Sequence, residues 1–517
     1  MGLSKSRYTL FRQCPKALWM RVHKPELAVV DPSVEARFAA GNEVGDLAMG
    51  LFGDFVEVTS LCEDGSLDLK AMLQKTQQCI ADGVENITEA SFSYCGNYCA
   101  VDILHKEDDG YAIYEVKSST GNDTDDKNKP DELMKYAYDI AYQKWVLEKC
   151  GIKVTATYLV RVNNEYVLNG ELDIQGLFHI TDMKDLLAKE NPVVEANVNL
   201  ATEILAQTDE PTNEIDHCCH KPYDCAFWDY CSRNIPVNSV FKLYRIQFRT
   251  ALKLYRSGII SFDDVLNTNA KEKEKKKKKA TFNEKQLLQV TSTLKNGEYI
   301  DKEGIREFLT QLSYPLYFLD FETEQPVVPK YQGTRPYQQI PFQYSLHWIE
   351  AEGGPLHHTE FLGDGVVDPR RALAEQICKD IPMDVCTTAY NKKFECGRLR
   401  EMAQDFPDLA AHLTNIADHI VDLLDPFQAG YYYAPPMDGS FSIKKVLPAL
   451  FPDDPALDYH NLSGSVHNGG DAMNIYPKMG QMSPEECEAT RQSLLEYCGL
   501  DTLAMVKVWE KLKEVSK

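Results

Sequence analysis

No stretch of the sequence approaches the ~18 consecutive apolar residues that a bilayer-spanning helix needs, so no membrane span is expected. The opening MGLSKSRYTLFRQCPKALW has neither the apolar core nor the cleavage site of a secretory signal, and the expected location is cytoplasmic. Internal repeats of roughly 20–50 residues are absent, which excludes solenoids and propellers as a first reading. Positive charge is in short supply: 55 Lys and Arg stand against 78 Asp and Glu, a formal net charge of −23. That balance argues against tight, sequence-blind binding to long duplex DNA, which is driven by cations meeting phosphates. It leaves room for a local basic groove and for acid-rich sites that hold metal ions.

What is present points to a large folded chain. Its 517 residues exceed one ordinary core, and 44% hydrophobic with 26% charged residues is a globular composition. The run NTNAKEKEKKKKKATFNEKQ at 267–286, with five consecutive lysines at 275–279, reads as a solvated tether or frayed helix. It suggests three segments: 1–235, a helical connector over 236–312, and 313–517. Both ends read as mixed α/β. YCAVDILHK (98–106) and YAIYEVKSS (111–119) flank the turn EDDG as a hairpin would, and a helix is expected over 131–149, followed by the strand VTATYLVRVN. Towards the end, LYFLDFE, FQYSLHWIE and DVCTTAYN read as strands, and helices follow at 366–381, 394–403 and 483–515.

Chemistry-bearing residues fall into three groups. The hairpin carries Asp102 on one strand and Glu115-Val116-Lys117 on the next, with Glu115 and Lys117 on one face by the period of two. Two acids and a lysine on adjoining strands can hold Mg²⁺ or Mn²⁺ and stabilise charge on a phosphate; a cross-strand salt bridge is the plainer alternative. The segment YPLYFLDFETEQPV (314–327) sets Asp320 and Glu322 on one strand face, where like charges repel unless a cation or proton separates them. Tyr497 and Asp501 in LLEYCGLDTLAM share a helix face at i, i+4. Finally, CCHKPYDCAFWDYC places Cys219, Cys225 and Cys231 at equal spacing, with Cys218 beside the first and Cys14 far upstream, a set of soft thiolates that could hold either Zn²⁺ or an iron–sulfur cluster. The other cysteines are scattered singly and, with no export signal, suggest buried thiols more than disulfides.

These groups carry two resemblances. AVDIL…YAIYEVKSST resembles the core of RecB-like PD-(D/E)xK nucleases, and Gln143 stands where that branch has a Q-x-x-x-Y helix, although the tyrosine position is Leu147. The resemblance implies roles for Asp102, Glu115, Lys117 and Gln143. It also brings in Glu43, from GNEVGDLA, as a metal ligand and Glu89 as a further site acid. One early and three late cysteines are similar to the clasp by which some of these nucleases, CRISPR-associated ones among them, hold a 4Fe–4S cluster. That implies Cys14, Cys219, Cys225 and Cys231 as ligands, with Cys218 an alternative to Cys219. Strand-D-x-E, then N-x-x-F followed by Glu395, then Y-x-x-x-D resembles the DEDDy exonucleases of the ribonuclease-H-like fold. This implies Asp320, Glu322 and Asp501 as metal ligands, with Tyr497 orienting water. The family's third acid is an aspartate; here the position holds Glu395, and Asp422 in HIVDLLDPF is the second choice.

Taken together, the chain is similar to a bacterial family that fuses the two modules. The implied architecture is an N-terminal restriction-endonuclease-like domain with an iron–sulfur clasp, joined to a C-terminal ribonuclease-H-like domain. The implied activity is metal-dependent hydrolysis of nucleic-acid phosphodiesters, with single-stranded DNA or DNA ends favoured over RNA. The C-terminal site would be a 3′→5′ exonuclease. A nucleic-acid-binding scaffold with one or both sites inactive is the alternative.

Overall fold

NYCAVDILHKE, whose positions largely alternate between buried and half-buried, and GYAIYEVKSSTG, buried through its middle, form two long strands joined by a tight turn. The computed structural model describes residues 2–29, 34–274 and 280–517; the five lysines at 275–279 lie outside the described residues. The chain separates into two compact units, Met1–Asn234 with Pro326–Gln338, and Ile235–Gln325 with Gln339–Lys517. The last domain, expected to run unbroken from 313, is interrupted: Pro326–Gln338 groups with the first unit. The stretch 236–312 belongs to the second unit.

The first unit is built on a six-stranded sheet, β1 (Val56–Glu57), β2 (Asn86–Tyr94), β3 (Asn97–Glu107), β4 (Gly110–Gly121), β5 (Val154–Asn163) and β6 (Phe178–Asp182), in that spatial order. β2, β3 and β4 form an antiparallel meander, and β4 and β5 are parallel. Parallel pairing demands a crossover. The Met134–Lys149 helix supplies it and buries Tyr136, Ile140, Tyr142, Val146 and Leu147. It starts later than the sequence suggested because Pro130–Leu133 forms a 3₁₀ turn. At the β3–β4 turn, Gly110 is required: a Cβ there would stand 2.4 Å from the Lys153 carbonyl oxygen. The Pro326–Gln338 segment is fixed by two backbone bonds, Leu168 N–H to Thr334 O at 3.0 Å and Gly333 N–H to Leu168 O at 2.8 Å. Its Val327 joins Val44, Ile103, Tyr114 and Val160 in one apolar cluster.

The second unit has a two-stranded ribbon, β7 (Tyr299–Ile300) with β13 (Tyr432–Tyr433), and a five-stranded sheet. That sheet contains β8 (Leu316–Glu324), β9 (Ile340–Ile349), β10 (Leu356–Leu362), β11 (Cys386–Ala389) and β12 (Ile420–Asp422), in the order β10-β9-β8-β11-β12. β9 is antiparallel to both β8 and β10, while β11 runs parallel to β8 and to β12. β8 is central and covered on both faces, which explains its nearly continuous apolar run. The Lys393–Asp405 helix follows β11. The 33-residue Pro484–Ser516 helix closes the chain, started by a capping box between Ser483 and Glu486. No helix of the described residues is long and apolar enough to cross a membrane.

Candidate functional site

The first cluster arises where β3 and β4 part. Their pairing ends at Ile103–Tyr114, and beyond it the Asp102 side chain accepts the Val116 N–H at 2.7 Å. β4 continues against β5, which keeps Glu115 and Lys117 on one face. Glu115 is fully buried, and its two oxygens are well occupied. Lys5 reaches them at 3.0 and 3.2 Å, Gln143 donates to Oε2 at 2.6 Å, and Lys117 pairs with Oε1. Despite burial, which pushes a carboxyl pKa up, the lysines and Gln143 hold Glu115 well below the usual carboxylate range. Lys5 also stands 3.5 Å from Asp102, and Lys117 stands 3.4 Å from Asp139.

Glu89 lies across from Asp102, at the one position the β2–β3 ladder skips, with its backbone at φ 55°. A non-glycine residue held there is strained, and such strain gathers at functional sites. Burial, with Asp102 adding repulsion, raises the Glu89 pKa to about 7. Asp139 is raised to about 6 by burial and by Glu115. Asp102, Glu115, Lys117 and Gln143 therefore meet. Glu43 does not join them: it is exposed on the Val34–Met49 helix, and its electrostatic partner is Lys330. Lys5 and Asp139 were missed. Asp139 sits four residues before Gln143 on one helix and is linked to it at 3.1 Å, a spacing that could have exposed it.

The cysteines gather beside this cluster's first helix, Lys5–Gln13, which ends at Cys14. Gln13 donates to the carbonyls of Cys218 and Tyr223, both at 2.7 Å, and so pins the late loop to the early segment. Cys14, Cys225 and Cys231 pack around Ala17, Trp19, Met20 and Phe227. The Cys218 thiol lies between Cys14 and Cys219; hydrogen bonding with it lowers Cys14 to about 6 and Cys219 to about 7, while Cys218 itself is raised. Burial raises Cys225 to about 11. Among the described residues no three of these sulfurs lie within 4.8 Å of one another. Four thiolates around a single zinc stand about 3.8 Å apart, given zinc–sulfur bonds of about 2.3 Å; Cys218 is close to both Cys14 and Cys219, and no three of the described thiols are mutually that close.

The second cluster collects at β8. Asp320 and Glu322 project to one face, and a shift of strand register directly follows Glu322. Ligand atoms of Asp320, Glu322 and Cys498 all lie within 4.8 Å of one another. From the Pro484–Ser516 helix, Asp501 accepts a hydrogen bond from Tyr459 at 2.5 Å and another from Tyr497. Cys498 lies 3.9 Å from Asp320 Oδ2. Its thiol pKa is pushed up by burial and the surrounding acids, so it serves as a hydrogen-bond donor.

Glu395 comes from the first turn of the Lys393–Asp405 helix, is 2% exposed, and leaves Oε2 with no hydrogen-bond partner. Burial, then Asp501, Glu322 and Glu395, push Asp320 far above the usual range. Glu322 rises to about 8 through burial and Asp501; Glu395 rises to about 8, chiefly through burial. Lys444 opposes these shifts on Asp320, Glu322 and Asp501, with its ammonium 5.0 Å over the Tyr497 ring and 5.4 Å over the Tyr459 ring. Gly469 lies beside the acids: a Cβ there would stand 3.4 Å from Glu322 Oε2. Lys444, Tyr459, Cys498 and Gly469 were missed, and no sequence spacing ties them to the acids.

Asp422 has a different task. Its carboxylate accepts the backbone N–H groups of Asn391 at 2.8 Å, Lys392 at 3.0 Å and Leu424 at 3.0 Å. It fixes the turn, with Asn391 at φ 69°, that starts the helix bearing Glu395. Asp422→Ala should destabilise the fold by about 2–4 kcal/mol through three orphaned donors. A thermal melt of the metal-free variant checks this; an unchanged midpoint contradicts it.

Residues 317–442 match a family described as a domain of unknown function (DUF2779). The match takes in Asp320, Glu322 and Glu395 and stops short of Tyr497 and Asp501. The chain is also similar to an uncharacterized protein, UU173, of Ureaplasma parvum serovar 3, at 24% identity over 242 residues. The similarity covers 43% of this chain and 34% of that protein, so the chain spans about a third of that relative's length.

Proposed function

We propose that the chain is a metal-dependent nuclease with two sites, the C-terminal one a 3′→5′ exonuclease. The observation that carries the reading is the second cluster: of four buried or half-buried carboxylates, Asp320, Glu322 and Asp501 have Lys444 as counter-charge and Glu395 has Arg398, and one buried oxygen of Glu395 lacks a hydrogen-bond partner. Such a set is costly without cations and suits a pair of oxygen-liganded divalent ions. The sheet order supports it. Counted from β8, the strands run 3-2-1-4-5 with the second antiparallel, the order of ribonuclease-H-like folds.

Asp320, Glu322, Glu395 and Asp501 would hold Mg²⁺ or Mn²⁺. Bound there, the ions supply Lewis acidity and an activated water for phosphodiester hydrolysis. Tyr459 and Tyr497 fix Asp501, and the Tyr497 hydroxyl would orient a water. In the first unit, Asp102 and Glu115 would hold a cation, Gln143 orients Glu115, and Lys117 stabilises negative charge on a phosphate. The cysteine group suits a 4Fe–4S cluster held by Cys14, Cys225, Cys231 and either Cys218 or Cys219. A cluster there would tie the two ends of the domain, closing a loop of about 200 residues.

The test is release of nucleotides from end-labelled single-stranded DNA and RNA with Mn²⁺, under anaerobic conditions. No cleavage of either substrate by protein with its metals in place would overturn the nuclease reading. For the clasp, anaerobically purified protein should be brown and absorb near 400 nm, at roughly the wavelength of iron–sulfur proteins. Colourless protein with stoichiometric zinc would contradict that. A second reading, a scaffold with an inactive first site, is favoured by one observation: two lysines and a glutamine already satisfy Glu115.

A further inference from the structure

The two clusters differ in how their acids are balanced. In the second, Glu395 Oε2 is buried with no hydrogen-bond partner, and Lys444 is held over two tyrosine rings. In the first, Lys5 reaches inward from the start of the Lys5–Gln13 helix and meets both acids on which a cation would sit. Its ammonium is 3.0 and 3.2 Å from the Glu115 oxygens and 3.5 Å from Asp102 Oδ1. Asp102's other oxygen is committed to the Val116 N–H. Lys117, from β4, pairs with Glu115 Oε1 and Asp139; among the described residues, Lys5 is the cation that forms an ion pair within 4 Å with both Asp102 and Glu115. An ammonium is a compact point charge with three donors on a flexible stem, so it can fill an oxygen cage and can also leave it.

We propose that Lys5 is a built-in competitor for the divalent-metal seat of the first site, so that metal enters only as Lys5 withdraws. The proposal rests on the reading of Asp102 and Glu115 as a metal site. Its physical basis is mutual exclusion: two cations cannot share the same carboxylate oxygens, and the ion pairs Lys5 makes must be given up when metal binds. Lys5 is about a quarter exposed, which leaves it a route outward. The nine-residue helix that begins at Lys5 runs directly into Cys14, so the competing lysine opens the helix and a clasp cysteine caps it. The two metal sites should accordingly load at different concentrations, the second before the first.

The experiment is a Mn²⁺ titration of the full chain followed by electron paramagnetic resonance, in an Asp320→Asn/Glu322→Gln background that silences the second site. Lys5→Met should tighten Mn²⁺ binding at the first site by about tenfold or more, the factor that ~1.4 kcal/mol represents. Lys5→Arg, which keeps the charge, should leave it weak. Equal affinity in Lys5→Met and the parent would overturn the proposal and leave the first site a metal site. No Mn²⁺ bound in either would overturn the proposal together with the metal reading of Asp102 and Glu115. A second measurement needs no substitution: amine acetylation of Lys5, read by mass spectrometry, should rise when the protein is saturated with Mn²⁺. Labelling that is unchanged or reduced would contradict the proposal.

Discussion

Asp320→Asn is expected to reduce Mn²⁺-dependent exonucleolytic release from a labelled single strand by about 10³-fold or more. Asp320 lies at the centre of the second cluster, within ligand distance of Glu322 and electrostatically joined to Asp501 and Glu395. An amide in its place removes a negative ligand shared by the proposed ions. Loss of several kcal/mol of charge stabilisation in the transition state corresponds to three or more powers of ten in rate. Lys117→Ala should leave that activity intact and remove cleavage from the first site. A single substitution that abolished both activities in folded protein would contradict independent sites.

The second large effect concerns stability and pH. Glu322 has a pKa raised to about 8, against about 4.5 in an unfolded chain, because burial and Asp501 disfavour its charged form. Between those values the folded state binds more protons than the unfolded one. Stability of the metal-free protein therefore falls as pH rises through this window. Glu322→Gln carries no charge at any pH and escapes the penalty. The variant should match wild type near pH 4.5 and exceed it increasingly towards pH 8, by up to about 1.4 kcal/mol for each pH unit, with no further gain above. Denaturant melts at a series of pH values in chelator give the difference directly. A wild type that gains on the variant as pH rises would contradict the electrostatic account. Saturating Mn²⁺ should reverse the order at pH 8, because only wild type has the full ligand set to be stabilised by mass action.

The parts of this architecture legible in the sequence are those with local periodicity. Period two placed Glu115 with Lys117 and Asp320 with Glu322, and the i, i+4 spacing placed Tyr497 over Asp501. The strands β3 to β5, β8, β9 and β11 follow the same signals, while β10 was not read from the sequence. What stayed hidden depends on distant encounters. Lys5 meets Glu115 across 110 positions of chain, and nothing in SKSRYTL marks that lysine as different from its neighbours. Lys444 is one of two adjacent lysines on a short helix, and only packing turns it over the tyrosines. Glu395 and Asp422 were both plausible acids. Three backbone N–H groups occupy Asp422, and the bare oxygen of Glu395 separates the two. The grouping of Pro326–Gln338 with the first unit had no sequence signal either, because a strand-to-strand loop carries no mark of where it will pack.

Every element of the proposal for the second unit requires acids from separate segments to share cations that offset their repulsion. Anomalous diffraction at the manganese edge, from crystals grown with MnCl₂, tests this most directly. The account predicts manganese peaks bounded by Asp320, Glu322, Glu395 and Asp501. Crystals in which those four carboxylates lie together but carry no manganese at saturating concentration would contradict it.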